Sequence, residues 1–391
     1  MSNKPIVYYA STETPALKRE YSLAAKFDAI VERLQLKDFV KNKEVAIKMH
    51  TGYKLNYTTL HPFLVGRVVQ TILNGGGNPY IIDIPRQVKY AKLKGYTEEV
   101  LRCPVMPVAG IKDNYFVEKK VDYKGITSLQ MGGNVKDADI LVNLVHFKGH
   151  NSTGYGGAIK NLALGCFTQD SRYAMHDTVQ YDSYWNSDKC KDPKNLIASC
   201  PYNLIKSEKG RLKVSFGLCN QCMRCIKADE DGCLQINQRN FESFFEVVAI
   251  AAKLVLDEVG KDNIFNITSA FNITEYCDCW GFTTGNILPD IGFLGSRDIL
   301  AIDKAVLDLS TNQELILENI SKTSDVNDDT NLHPLARIHG PYKDPYLQIK
   351  YGEKHNLGEV NYVINEILPA REITKIPANF PNALNLYKRI E

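Results

Sequence analysis

Two hydrophobic periods alternate along the N-terminal half of the chain. Runs in which nearly every position is apolar or β-branched, Pro5–Ala10, Glu44–Met49, Tyr80–Ile84 and Asp139–Leu144, predict short buried strands. Between them, Ser22–Leu36 places Leu23, Phe27, Ile30, Val31 and Leu34 at helical spacing, and Thr58–Leu73 predicts the next helix. Asn74–Pro79 ends that helix: glycine relieves a left-handed residue at a helix C-terminus, and proline prevents continuation. Strands interleaved with helices of this length imply parallel pairing and an α/β class, with two α/β layers and mostly parallel strands. From Tyr184 to about Gln238 the periodicity fades and cysteines crowd together, the mark of a small metal-stapled insert. The pattern resumes with a helix over Phe241–Val259, a strand over Asn263–Thr268 and a helix over Asp298–Leu309, while Ser321–Asn331 is a polar loop. The expected units are an N-terminal α/β part over 1–183, a ferredoxin-like insert over 184–240 and a C-terminal α/β part over 241–391.

Composition narrows the function classes. Lys plus Arg number 47 against 45 Asp plus Glu, a net charge of +2, whereas a general binder of nucleic acid or anionic membrane carries a basic excess. The longest apolar stretch, Val247–Leu256, is interrupted by Lys253 and is too short to span a bilayer. The N-terminal segment has no apolar core behind a basic start, so a cytoplasmic location is expected. In a reducing compartment the ten cysteines are better read as metal ligands or redox groups than as disulfides.

Cys219-x2-Cys222-x2-Cys225 is the strongest chemical signal, because two-residue spacing wraps three corners of a cubane. Cys200 precedes Pro201, as the fourth cysteine of a ferredoxin motif does, and Cys190 lies where that motif would begin. Pro193 and Leu196 stand where its second and third cysteines belong, so one [4Fe–4S] cluster is expected rather than two. Under crossed ligation its ligands are Cys200, Cys219, Cys222 and Cys225, with Cys233 the competing fourth ligand and a structural zinc the alternative metal. Cys277-x-Cys279 and Cys166 are either reactive, metal-binding or packed, and Cys103 is read as packing.

Two strand ends carry Lys-x-His: Lys48 and His50 after one, Lys148 and His150 after another. Ligands of open α/β sheets bind outside the carboxyl ends of strands, so these residues are placed where chemistry belongs. The glycine-rich stretch that follows, with Gly154, Gly156 and Gly157 before Lys160 and Asn161, lets backbone approach a ligand. Lysines there suit a small anionic substrate or a covalent adduct, and histidines suit proton transfer or metal. No G-x-G-x-x-G follows a strand, which leaves a dinucleotide cofactor unsupported. Asp290, Asp298 and Asp303 are candidates to orient the helix Ser296–Leu309, Asp298 most plainly as its N-cap.

The segments HFKGHNSTGYGGAIKNLALGC and PDIGFLGSRDILAIDKA, with the CDC triplet, resemble iron–sulfur centre proteins of the domain of unknown function 362 family. More remotely, the spacing of His150, Lys160 and His176 resembles the core of nickel-dependent lactate racemases. That resemblance implies His150 as an acid/base group, Lys160 as the anchor of a covalent nickel nucleotide and His176 as a metal ligand. Three functions follow in order of expectation. The first is an oxidoreductase whose cluster serves the Lys/His loops, with a ferredoxin-type or other redox partner. The second is a racemase- or hydratase-like enzyme with a structural cluster. The third is an electron-transfer or cofactor-handling protein.

Overall fold

The computed structural model describes residues 4–180, 186–208, 211–215, 223–234, 238–322, 324, 326–340 and 343–367. Its strands are β1 (Ile6–Ser11), β2 (Glu44–Lys48), β3 (Asn78–Asp83), β4 (Val105–Pro107), β5 (Phe116–Tyr123), β6 (Ile126–Gly132) and β7 (Ile140–His146). They continue as β8 (Lys148–His150), β9 (Gly154–Gly156), β10 (Ile205–Glu208), β11 (Arg211–Val214), β12 (Ile264–Ala270), β13 (Gly292–Ser296) and β14 (Val363–Glu366).

Eight of them form one sheet in the order β14-β1-β13-β12-β7-β2-β3-β4. Every pairing is parallel except those of β13, which runs antiparallel to both β1 and β12. The fold is therefore mixed α/β around a large, mostly parallel sheet, and strands from before and after the cysteine-rich segment pair within it. Successive residues of a strand face opposite sides, and here both sides are covered. Ile140, Val142 and Leu144 of β7 join one apolar cluster with Phe27, Val65 and Val68 of the helices Leu23–Arg33 and Pro62–Asn74. Leu141 and Val145 join the other, with Leu162, Phe244 and Ala301 from the helices Ala158–Gly165, Gln238–Val259 and Ile299–Thr311. Double coverage is why these strands read as continuous apolar runs.

Three two-stranded antiparallel units stand apart: β5-β6, β8-β9 and β10-β11. The stretch after β7, expected as a loop, is the ribbon β8-β9 followed directly by the helix Ala158–Gly165. Within the cysteine-rich segment, the helix Lys194–Ser199 packs on the turn of helix Arg224–Lys227. Leu196, Ile205, Leu212 and Val214 bury against the same core as the sheet, so the segment borrows its apolar support from the larger body. Cys219 and Cys222 lie outside the described residues. Among the described residues no helix is long and apolar enough to cross a membrane.

Candidate functional site

The parallel strands β2, β3, β7 and β12 end along one edge, and the first three close on a polar residue. Lys48 ends β2, Asp83 ends β3 and His146 ends β7. Lys48 is 1% exposed; its Nζ lies 3.2 Å from Asp83 Oδ1 and donates to Met49 O (2.7 Å) and Asn161 Oδ1 (3.2 Å). Asp83 also accepts from the backbone of Thr51 (2.8 Å) and Ile84 (2.9 Å). Burial works to raise its pKa, but Lys48, His50 and these amides hold it below the ordinary carboxylate value. Behind Lys48 runs a line of asparagines. Asn161 Nδ2 donates to Asn143 Oδ1 (2.8 Å), and Asn143 Nδ2 donates to Asn266 Oδ1 (2.9 Å) and Ala158 O (3.1 Å). These amides fasten the helix Ala158–Gly165, and Lys160 with it, to β2, β7 and β12.

A second ion-paired group lies on Asp278, which is fully buried. His146 Nδ1 is 2.9 Å and Lys148 Nζ 3.2 Å from its Oδ2, and Asn56 Nδ2 donates to its Oδ1 (3.0 Å). Burial alone would raise the Asp278 pKa; His146 and Lys148 reverse that and hold it well below the usual range. Burial likewise opposes the charge on Lys148, yet Asp278 and Cys277 keep its pKa above the ordinary lysine value.

Cys277 and Cys279 flank Asp278 and sit against this charge. The hydrogen bond from Cys279 outweighs burial and, with Lys160 and Lys148, holds the Cys277 thiol well below its ordinary value; the same bond drives Cys279 well up. Lys160 Nζ lies 4.0 Å from Cys277 Sγ, and Cys279 Sγ 4.0 Å from His150 Nε2. His150 Nε2 and the two sulfurs are within 4.8 Å of one another, close enough for these three groups to hold a metal ion. Trp280 Nε1 donates to Asn151 Oδ1 (3.1 Å), pinning this turn to the chain beyond β8.

Both expected histidines are held in one way. Gly52 N–H donates to His50 Nδ1 (3.0 Å), and Ser152 and Thr153 N–H donate to His150 Nδ1 (3.0 and 3.3 Å). Burial holds His50 below its ordinary value against the pull of Asp83, and burial with Lys160 holds His150 far below. His176 stacks on Phe244 at 4.5 Å and is held down to about 3 by burial, Lys160 and Arg172.

The remaining expected residues have other duties. Gly156 pairs with Lys148 in the ribbon, where a Cβ would sit 3.1 Å from Lys148 Cε. Gly157 precedes the helix Ala158–Gly165, against Asp303. Cys166 is wholly buried and burial pushes it up to about 12, as it does Cys103. Asp298 caps the helix Ile299–Thr311 through Leu300 and Ala301 N–H (2.9 and 2.8 Å). Asp290 instead accepts from Asn272 N–H (2.8 Å). Asp83 and Asp278 are site residues that the sequence reading left without a role, while His146 entered it as the first residue of the segment HFKGHNSTGYGGAIKNLALGC. A polar residue closing an apolar strand was a usable signal for Asp83 and His146, but nothing local distinguishes Asp278.

The cysteine-rich segment reaches the site through Tyr202, whose hydroxyl is 3.4 Å from that of Tyr276, the residue before Cys277.

No curated protein matches the chain. Among solved structures, the lactate racemase apoprotein from Thermoanaerobacterium thermosaccharolyticum superposes with a TM-score of 0.33 at 13% identity, over 69% of this chain and 51% of that one. The chain thus spans about half the length of that racemase, and a likeness this slight carries no argument about chemistry. The family model described as Domain of unknown function (DUF362) matches residues 45–308, which take in β2, β3, β7, the ribbon, the Cys277–Cys279 turn and Asp303. With about two thirds of its length matched, the chain belongs to the DUF362 family.

Proposed function

We propose that the protein is an iron–sulfur oxidoreductase acting on a small anionic substrate or cofactor held by Lys48, His50, Lys148, His150 and Lys160. The observation that carries this reading is the convergence of Lys148, Lys160, His50 and His150 on the Cys277–Cys279 pair, whose first sulfur is buried and second half-buried, joined to the cysteine-rich segment through Tyr276 and Tyr202. One [4Fe–4S] cluster on Cys200, Cys219, Cys222 and Cys225, in a ferredoxin-like insert, would supply single electrons there, replenished by a ferredoxin-type or other partner.

The donor chemistry fits such a cluster. Cys200 and Cys225 lie on neighbouring, half-exposed pieces of chain, and thiolates are its natural ligands. Cys233 suits the role less well. It is buried, and burial together with Cys190 and Asp229 pushes its thiol up to about 12. Cys200 is therefore the better fourth ligand.

A racemase- or hydratase-type reading is favoured by a different observation. His176 makes no hydrogen bond among the described residues, and its ring nitrogens lie near enough to Lys160 to feel its charge. An amine and a free imidazole side by side suit a nickel ion or a covalent nucleotide on Lys160.

Iron and sulfide analysis with EPR potentiometry on anaerobically purified protein separates the two. The oxidoreductase reading expects a reversibly reducible cluster whose signal shifts on adding pyruvate. Lys160→Ala should abolish that shift and keep the spectrum, whereas Cys222→Ala should remove the spectrum. Zinc without labile sulfide, or a redox-silent cluster, overturns it.

A further inference from the structure

Three donor atoms within 4.8 Å invite a metal, but the hydrogen bonds of His150 point elsewhere. An imidazole that ligates through Nε2 needs its lone pair there and its proton on Nδ1. Here Nδ1 is the acceptor for two backbone N–H groups, those of Ser152 and Thr153, and a backbone N–H only donates. The Thr153 hydroxyl spends its hydrogen on Tyr155 O (2.6 Å) and leaves only a lone pair facing Nδ1 at 3.2 Å, but the two backbone N–H groups aimed at Nδ1 have no other acceptor there and set the lone pair on that nitrogen. Neutral His150 therefore carries its proton on Nε2 and directs that N–H toward Cys279 Sγ. A cation arriving there meets a proton, with the ammonium groups of Lys148 and Lys160 adding like charge. A sulfur anion meets donors instead.

We propose that Cys277 and Cys279 form a redox-active dithiol, which cycles to an intramolecular disulfide by exchange with a small anionic disulfide. Cys277 Sγ attacks one sulfur of the substrate; the substrate S–S bond breaks and a mixed disulfide forms as the first substrate thiol leaves. Cys279 Sγ then attacks Cys277 Sγ, its proton passes to the second departing thiolate, and the Cys277–Cys279 bond closes. The sum is one substrate disulfide reduced to two thiols while two cysteine thiols lose two protons and two electrons. Substrate size and charge follow from the surroundings. Cys277 is buried, which favours a small molecule, and half-buried Lys160, 4.0 Å from its sulfur, favours a negatively charged one. This proposal rests on the oxidoreductase reading for its place in turnover, but its chemistry is tested without reference to the cluster.

The full-length protein is incubated anaerobically with 3,3′-dithiodipropionate, digested without reduction and mapped by mass spectrometry. The expected product is a peptide bearing Cys277 and Cys279 that is lighter by two hydrogens. Bis(2-hydroxyethyl) disulfide, the neutral counterpart, should react at least tenfold more slowly. Cys279→Ser should stop at a mixed disulfide on Cys277, and Cys277→Ser should give neither product. The wild-type map is decisive by itself, so a variant that fails to fold does not shield the idea. If the peptide stays unmodified, or if Co(II) gives a thiolate charge-transfer band that both variants abolish, the dithiol is wrong and the metal right. A cluster that titrates normally beside an inert Cys277–Cys279 pair removes this proposal alone. A disulfide that forms beside a redox-silent cluster removes the oxidoreductase reading alone.

Discussion

Asp303 lies inside the helix Ile299–Thr311 yet serves a different one. Its carboxylate accepts from the N–H groups of Ala158 and Ile159 (2.6 and 2.9 Å) and from Tyr155 OH (3.0 Å), capping the helix that carries Lys160 and Asn161. The residue before that helix is glycine, without a side chain to cap it, so the cap comes from far along the chain. Burial nevertheless raises the Asp303 pKa to about 6, the three donors only partly opposing it. The raised value fixes the sign of its linkage. Between about pH 4 and 6 the native state keeps a proton that the unfolded chain has released, so this contribution is full at low pH and lost as pH rises. Asp303→Asn keeps the shape and removes the titration. The wild-type advantage over Asp303→Asn in urea unfolding should therefore shrink by about 2 kcal/mol from pH 4.5 to 7. An advantage that is flat across that range would mean Asp303 is ionised throughout.

At the scale of elements, what was legible was local. Buried strands such as β2, β3 and β7 and the helix capped by Asp298 all announce themselves in runs of apolar residues, because both faces of the sheet are covered. The Lys-x-His pairs were legible for the same reason, since each sits just beyond such a run. The ribbon β8-β9 was not: Lys148-Gly149-His150 and Gly154-Tyr155-Gly156 carry no period, and long-range contacts make them strands. Gly149 N–H donates to Thr274 O (2.9 Å), and a Cβ there would stand 2.3 Å from Glu275 O and 2.8 Å from His339 Nε2. That close approach presses the ribbon against the backbone leading into Cys277. Asp278, Tyr276, Asn143 and Asn266 stayed hidden likewise, because each is defined by a partner on another strand or turn. Gly149→Ala should cost about 1–3 kcal/mol in unfolding free energy by overpacking. It should also slow alkylation or disulfide exchange at Cys277, measured by peptide mapping. A variant with normal stability and normal Cys277 reactivity would show that the ribbon does not set the position of the thiol pair.

Across the whole molecule, neutral buried histidines make folding sensitive to acid. His333 caps the helix Pro334–His339 by accepting from Leu335 N–H (3.1 Å) at Nδ1, with Nε2 against Ser310 Oγ (3.1 Å) and Leu307 O (3.3 Å). His339 ends the same helix, its Nε2 without a hydrogen-bond partner among the described residues and packed beside Gly149 and the Tyr276 ring. Burial holds the first down to about 4, and burial with Lys343 holds the second down to about 3. Both values lie below that of an unfolded histidine, so below about pH 6.5 the unfolded chain binds protons the native state refuses. Stability from these two groups is present above that pH and lost as pH falls, by up to about 2.7 kcal/mol per pH unit. Asp303 opposes this by about half as much between pH 4 and 6, leaving a net loss on acidification. Since the helix Pro334–His339 packs against both the ribbon and the helix that holds Asp303, protonation there strains the site and its supports together. His333→Asn keeps an N-cap acceptor and His339→Gln keeps a polar side chain of similar length, while neither titrates. The double variant should flatten the pH dependence of urea unfolding between about pH 6.5 and 4 by roughly two protons' worth. If the wild-type slope persists in that variant, the acid sensitivity of this range resides in the other histidines that burial holds below their ordinary value, His50, His150 and His176, and the helix Pro334–His339 is a bystander.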